Sequence, residues 1–210
     1  MTSFVLRDLA EELNLQADDP EERFLSSGVS WAQYEGLLEQ FGDSPWYRVT
    51  YCEGVLEIMA PSRKHDRNKT NIGMLLEAYF QEARIRFYGL GSTTFRDEKK
   101  KIGTEPDECY CIGSEKEFPD LAVEVVETSG SINKLAVYRG LGVPEVWFWK
   151  KGQLEVYSLR GQEYEKVSAS ELLPNLDLAL LATCVQNPEP LDAVIEFRER
   201  VREQIQKGNR

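Results

Sequence analysis

The stretch from Glu105 to Trp149 constrains this chain more than any other part of it. It reads EPDECYCI, then PDLAVEVVETSGSINKLAVYRGLGVPEVWFW. Short runs rich in Val, Tyr, Phe and Trp, bounded by Pro, Gly and Ser, read as strands. Strands are predicted at about 108–112, 119–126 and 144–150, with a helix from Ile132 to Gly140 between the last two. Side chains alternate across a strand, so Asp120, Ala122, Glu124 and Val126 share one face of the second strand and Leu121, Val123 and Val125 the other. A carboxylate in so apolar a run is costly to bury alone. Glu124 therefore needs a metal, a cation, a hydrogen-bonding partner or a place at a cleft.

The rest of the chain supplies more strands and helices. Residues 1–28, with seven acids and Pro20, read as a loosely packed N-terminal arm carrying a short helix at 6–13. Ser30 caps a helix that runs to about Gln40, with Trp31, Tyr34, Leu37 and Leu38 on one stripe. Residues 47–59 alternate about a Cys52-Glu-Gly54 turn and read as a hairpin. A long helix is expected from Lys64 to Arg86, with Ile72, Leu75, Leu76, Tyr79 and Phe80 at core spacing. Further strands are expected at 91–96, 153–159 and 163–167. Residues 191–207 form an amphipathic helix, with Val194, Phe197, Val201 and Ile205 on its apolar side, to pack on the body or on a second subunit. The division is an arm at 1–28, a domain at 29–183 and a C-terminal helical segment at 184–210. The class is α/β or α+β, a central mixed sheet flanked by helices.

Composition narrows the function. No run of about 18 apolar residues is present, so no membrane span is expected. MTSFVLRDLAEELN lacks the basic and apolar regions of a secretory signal. The four cysteines form no CxxC pair and there is one histidine, which argues against zinc and for free thiols in a reducing cytoplasm. The net charge of −11 weighs against a protein whose main business is coating nucleic acid, which needs clustered Lys and Arg. It leaves room for a nuclease, because metal-neutralised carboxylates do not repel phosphate as free ones do.

Asp107 starts the strand before that of Glu124, seventeen positions earlier, and a hairpin would bring both carboxylates to one end. Mg²⁺ takes one or two carboxylates plus water and substrate phosphate. Lys134 lies in the first turn of the predicted helix, where acids are normally preferred. A nearby carboxylate pair accounts for it, and its ammonium could orient a water or stabilise charge on a phosphate. Plain structural roles account for the same residues: a turn aspartate, a paired glutamate, a solvated lysine. His65 and Glu57 are further candidates to line the cleft, Glu57 otherwise forming a salt bridge. Arg63, Lys64, Arg67 and Lys69 make the start of the long helix the best basic patch in the chain, and Arg96, Lys99, Lys100 and Lys101 form a second.

GVLEIMAPSRKH, EPDECYCI, PDLAVEV, NKLAVYRGLGVPEVWFW and LEVYSL, in this order, resemble the Uma-two family of restriction endonucleases over roughly residues 30 to 182. That family is similar in fold to the PD-(D/E)XK nuclease superfamily. The resemblance implies a restriction-endonuclease-like fold and a phosphodiesterase site that uses Mg²⁺, with Mn²⁺ as a substitute, on DNA. It assigns Asp107 as the motif aspartate and Glu124 as the second acid, both metal ligands. The lysine usual two residues after the second acid is Val126 here, and the resemblance suggests that Lys134 takes its role from the helix. Many compact nucleases of this fold are homodimers, which the C-terminal helix would permit. Two readings stand: a Mg²⁺-dependent DNA endonuclease, or a nuclease fold turned binding or regulatory module.

Overall fold

A computed structural model of the chain describes residues 21–42, 46–128 and 132–208. Eleven strands form two sheets among these residues. The five-stranded sheet is antiparallel and comprises β1 (Glu22–Ser27), β2 (Arg48–Cys52), β3 (Val55–Ala60), β5 (Phe95–Asp97) and β6 (Ile102–Thr104), in the order β1-β3-β2-β6-β5. The six-stranded sheet comprises β4 (Phe87–Gly89), β7 (Glu108–Ile112), β8 (Leu121–Val126), β9 (Glu145–Lys150), β10 (Gln153–Arg160) and β11 (Glu163–Val167), in the order β11-β10-β9-β8-β7-β4. It is mixed because β8 and β9 run parallel while its other pairs are antiparallel. Parallel neighbours need a crossover, and α3 (Lys134–Leu141) provides it. The remaining helices are α1 (Trp31–Phe41), α2 (Arg63–Ala83), α4 (Leu178–Val185) and α5 (Pro190–Gly208). This is the mixed α/β, restriction-endonuclease-like class expected from the sequence.

Local signals account for the ends of these elements. Ser30 and Gln33 form a reciprocal capping box at the start of α1. The Ser62 side chain accepts from His65 N and opens α2, and the Asn133 side chain accepts from Ala136 N and opens α3. The two-residue turns Glu53-Gly54 and Lys151-Gly152 have positive φ at both positions, the geometry whose twist matches a hairpin.

Alternation along β8 determines the layering. Leu121, Val123 and Val125 pack with Trp147 and Trp149 of β9 against α2, α4 and α5. Ala122 and Val126 face the other way, toward Val137, Tyr138 and Leu141 of α3 and Ile102 of β6. Glu124 is on this second face, so it lies in the seam where α3 joins the two sheets. A third cluster seats Trp31 and Tyr34 of α1 on Val49, Tyr51, Leu56 and Ile58.

Several expectations are corrected. Residues 22–27, assigned to a loose arm, are strand β1, paired along its length with β3. The short helix expected at 6–13 lies outside the described residues. The long helix stops at Ala83 because Arg84 turns left-handed, with φ 53°. The strand expected at 91–96 is reduced to Phe95–Asp97, and β4, β6 and α4 were not foreseen. The C-terminal helix packs on the domain itself. Phe197 and Val201 are buried, and Glu82 of α2 holds Arg198 at 2.6 Å and Arg202 at 2.7 Å. The four cysteines are free. Among the described residues no helix is long and apolar enough to cross a membrane.

Candidate active site

β7 and β8 pair with Glu108 opposite Val123, which sets Asp107 beside the Glu124–Val125 peptide. Asp107 Oδ2 accepts from Val125 N at 2.7 Å and Oδ1 is 2.8 Å from His65 Nε2. Glu124 Oε1 receives both Lys134 Nζ, at 3.0 Å, and the Tyr138 hydroxyl. Lys134 and Tyr138 are four residues apart on α3 and so present one face to Glu124. Lys134 Nζ also donates to Thr104 Oγ1 of β6 at 3.0 Å, and Thr104 pairs with Thr50 Oγ1 of β2 at 3.1 Å. Asp107, from the bend before β7, Glu124 of β8 and Lys134 of α3 are therefore brought together. The strand pairing and the first turn of α3 are what bring them there.

Behind Asp107 lies a buried ionic chain. His65 Nδ1 is 2.5 Å from Glu21 Oε1, so the imidazole bridges two carboxylates. Glu21 Oε2 accepts from Thr128 Oγ1 at 2.7 Å and from Arg23 at 2.7 Å, and Arg23 reaches Glu57 at 3.0 Å. Burial works to lower the His65 pKa, but hydrogen bonds to Asp107 and Glu21 and their charges raise it to about 9. Burial would likewise raise Glu21, yet the bonds from His65, Thr128 and Arg23 hold it at about 2. At neutral pH His65 is an imidazolium that donates from both nitrogens.

The two acids of the pair are tuned apart. Burial raises Asp107, and the bond and charge of His65 with the Val125 N–H overcome it, so its carboxyl stays below the ordinary value. Glu124 ends above its ordinary value: burial raises it, Lys134 lowers it and the neighbouring Asp107 charge raises it again. Burial and the Glu124 charge push the Tyr138 phenol well up, so it stays a hydrogen-bond donor.

A cleft of about 470 Å³ opens onto this group. Glu124, Lys134 and Glu57 line it. Asp107 does not; it is 1% exposed and lies behind the lining. His65, a candidate to line the cleft, is fully buried behind Asp107 instead. Glu57 has the salt bridge expected of it, to Arg23. Five lining side chains are Lys or Arg and three are Glu, a local excess of positive charge in a chain of net charge −11.

Asp107 and Glu124 are the carboxylates that could hold a hard cation here. Each Asp107 oxygen holds one hydrogen bond, Oδ1 lies in addition 3.9 Å from Arg48 Nε, and Glu124 Oε2 takes no hydrogen bond among the described residues. Two carboxylates with water and phosphate in the other positions is an ordinary Mg²⁺ shell. No cluster of three or more His, Cys, Asp or Glu arranged for a metal occurs among the described residues. Sequence reasoning missed Glu21 and Tyr138. The four-residue step from Lys134 was a legible signal for Tyr138, whereas Glu21 was one acid among several.

The Uma2 family, described as "Putative restriction endonuclease", matches the chain over residues 31–192. No curated protein matches it. The PD-(D/E)XK superfamily is the class to which this nuclease family belongs.

Proposed function

From membership of the Uma2 family, to which this chain belongs, we propose that the protein is a Mg²⁺-dependent endonuclease that hydrolyses DNA phosphodiester bonds. The observation that carries the proposal is the pairing of Glu124 with Lys134 on the wall of a cation-lined cleft, with Asp107 bound to the Val125 N–H behind them. Asp107 and Glu124 would hold the ion, and Mn²⁺ would substitute for Mg²⁺. When bound, the ion supplies Lewis-acid polarisation of a phosphoryl oxygen and a lowered pKa for water.

The remaining work belongs to the chain. Lys134 projects an ammonium into the cleft beside Glu124, where it orients the attacking water or balances charge developing on the phosphate. Tyr138 holds Glu124 in place from the buried side. His65, itself held by Glu21, keeps Asp107 ionised and oriented, as outer partners of metal ligands do.

A nuclease fold that binds without cleaving is the second reading. It is favoured by the engagement of both Asp107 oxygens and by Val126 standing where the strand lysine is usual. Calorimetry separates the two. On the endonuclease reading Mg²⁺ or Mn²⁺ binds wild type and fails to bind Glu124→Ala. Equal heats from both proteins, or none from either, favour the binding module.

A further inference from the structure

A second groove, of about 460 Å³, adjoins the first. Glu127 and Lys151 line both. One wall is the start of α2, with Lys64, Arg67 and Asn68; the other is the segment after α4, with Gln186 and Asn187. The turn between β9 and β10 forms the rim where the two cavities meet.

Charge is distributed unevenly here. The shared carboxylate, Glu127, is already held by Lys64 at 2.5 Å and by Asn68 at 2.7 Å. Arg67 and Lys151 are exposed, and neither has an ion pair or a side-chain hydrogen bond among the described residues. With Glu127 taken up by Lys64, the groove keeps a net positive lining in a chain of net charge −11, and Arg67 on one wall with Lys151 at the rim forms a track for an extended anion. On the opposite wall the Gln186 amide already donates to the Gly152 and Ala182 carbonyls and Asn187 Oδ1 accepts from Glu189 N, which leaves the Gln186 oxygen to accept and the Asn187 amide nitrogen to donate to sugars or base edges. Groove cations that follow a backbone are the usual means of holding a single strand.

We infer that the second groove binds the phosphate backbone of a nucleic-acid strand whose neighbouring phosphodiester occupies the candidate active site. Lys151 serves at the junction and Arg67 farther out. The inference rests on the cleft being a nuclease site, as proposed above, and it adds a substrate-holding surface that is not needed for the chemistry itself.

The test is fluorescence anisotropy of a labelled single-stranded DNA of about 24 nucleotides, in chelator so that nothing is cut, over a range of salt. The proteins are wild type, Arg67→Glu, Lys151→Glu and Lys99→Glu, the last an exposed lysine that lines neither groove. The two groove variants should bind roughly tenfold more weakly at low salt and lower the salt slope by about one each. Lys99→Glu should keep the wild-type slope. Groove variants indistinguishable from Lys99→Glu, or a wild type that binds no strand, would overturn the inference. Groove-dependent binding by a protein that never cleaves with Mg²⁺ would support the groove and reject the nuclease reading alone.

Discussion

Lys134 Nζ lies 3.0 Å from Glu124 Oε1, although the two residues sit on different elements ten positions apart. The amine comes from the helix after β8, while Val126 holds the strand position two residues beyond Glu124 on the same face. If this amine serves the chemistry, Lys134→Ala lowers turnover sharply, by on the order of a hundredfold. Metal affinity should change little or rise, because an ammonium repels a cation. Lys134→Arg should rescue poorly, since a planar guanidinium has another shape and does not give up its proton. The double variant Val126→Lys, Lys134→Ala returns an amine to the Glu124 face of the strand and should recover part of the rate. Turnover of Lys134→Ala equal to wild type would remove Lys134 from the mechanism.

His65 is held between Glu21 and Asp107, and removing it leaves two buried carboxylates facing each other. His65→Ala should cost about 3 to 5 kcal/mol of unfolding free energy in urea titrations.

The pH dependence of this chain follows from its shifts. The His65 pKa is raised from 6.5 to about 9 on folding, so its contribution is full below pH 6.5 and is lost as pH rises through about 9. The Glu21 pKa is lowered from 4.5 to about 2, so its contribution is present above pH 4.5 and is lost as pH falls through about 2. Wild type should therefore lose stability between pH 6.5 and 9 by an amount that His65→Ala does not lose. Parallel stability curves for the two proteins over that range would contradict the bridging imidazolium.

Tyr138→Phe removes one of the two donors to Glu124 Oε1 and leaves the ring in the core. Loss of such an outer partner typically costs tenfold or more in activity or metal affinity. Cleavage rate at saturating Mg²⁺ should fall by about that factor while far-ultraviolet circular dichroism is unchanged. An unaltered rate and metal affinity would mean that Lys134 alone orients Glu124.

Much of this arrangement was legible in the chain because local rules carried it. The hairpin from Arg48 to Ala60 declared itself through alternation on both sides of a Glu-Gly turn. Glu124 stood out as a charge inside an apolar strand, and its hairpin partner and helical neighbour lay within twenty residues. What was missed depends on distance or on length. Strands β4 and β6 have three residues each, too few for alternation to register. In α4, LALLATCV is apolar nearly throughout and shows no helical period. The bond from Glu21 to His65 spans 44 positions, and nothing local to β1 marks which acid of its run is buried. His65 drew attention as the single histidine, but its burial behind Asp107 comes from the packing of α2, which the count of histidines does not encode.

The central claim is that Asp107 and Glu124 support metal-dependent phosphodiester hydrolysis. It is tested most directly by incubating supercoiled DNA with wild type, Asp107→Ala and Glu124→Ala, each with Mg²⁺, with Mn²⁺ and with chelator. The account predicts nicking or degradation by wild type with either metal, none with chelator, and a loss of on the order of a hundredfold or more in both folded variants. Absence of cleavage by wild type under all conditions, or equal cleavage by wild type and both variants, would contradict it.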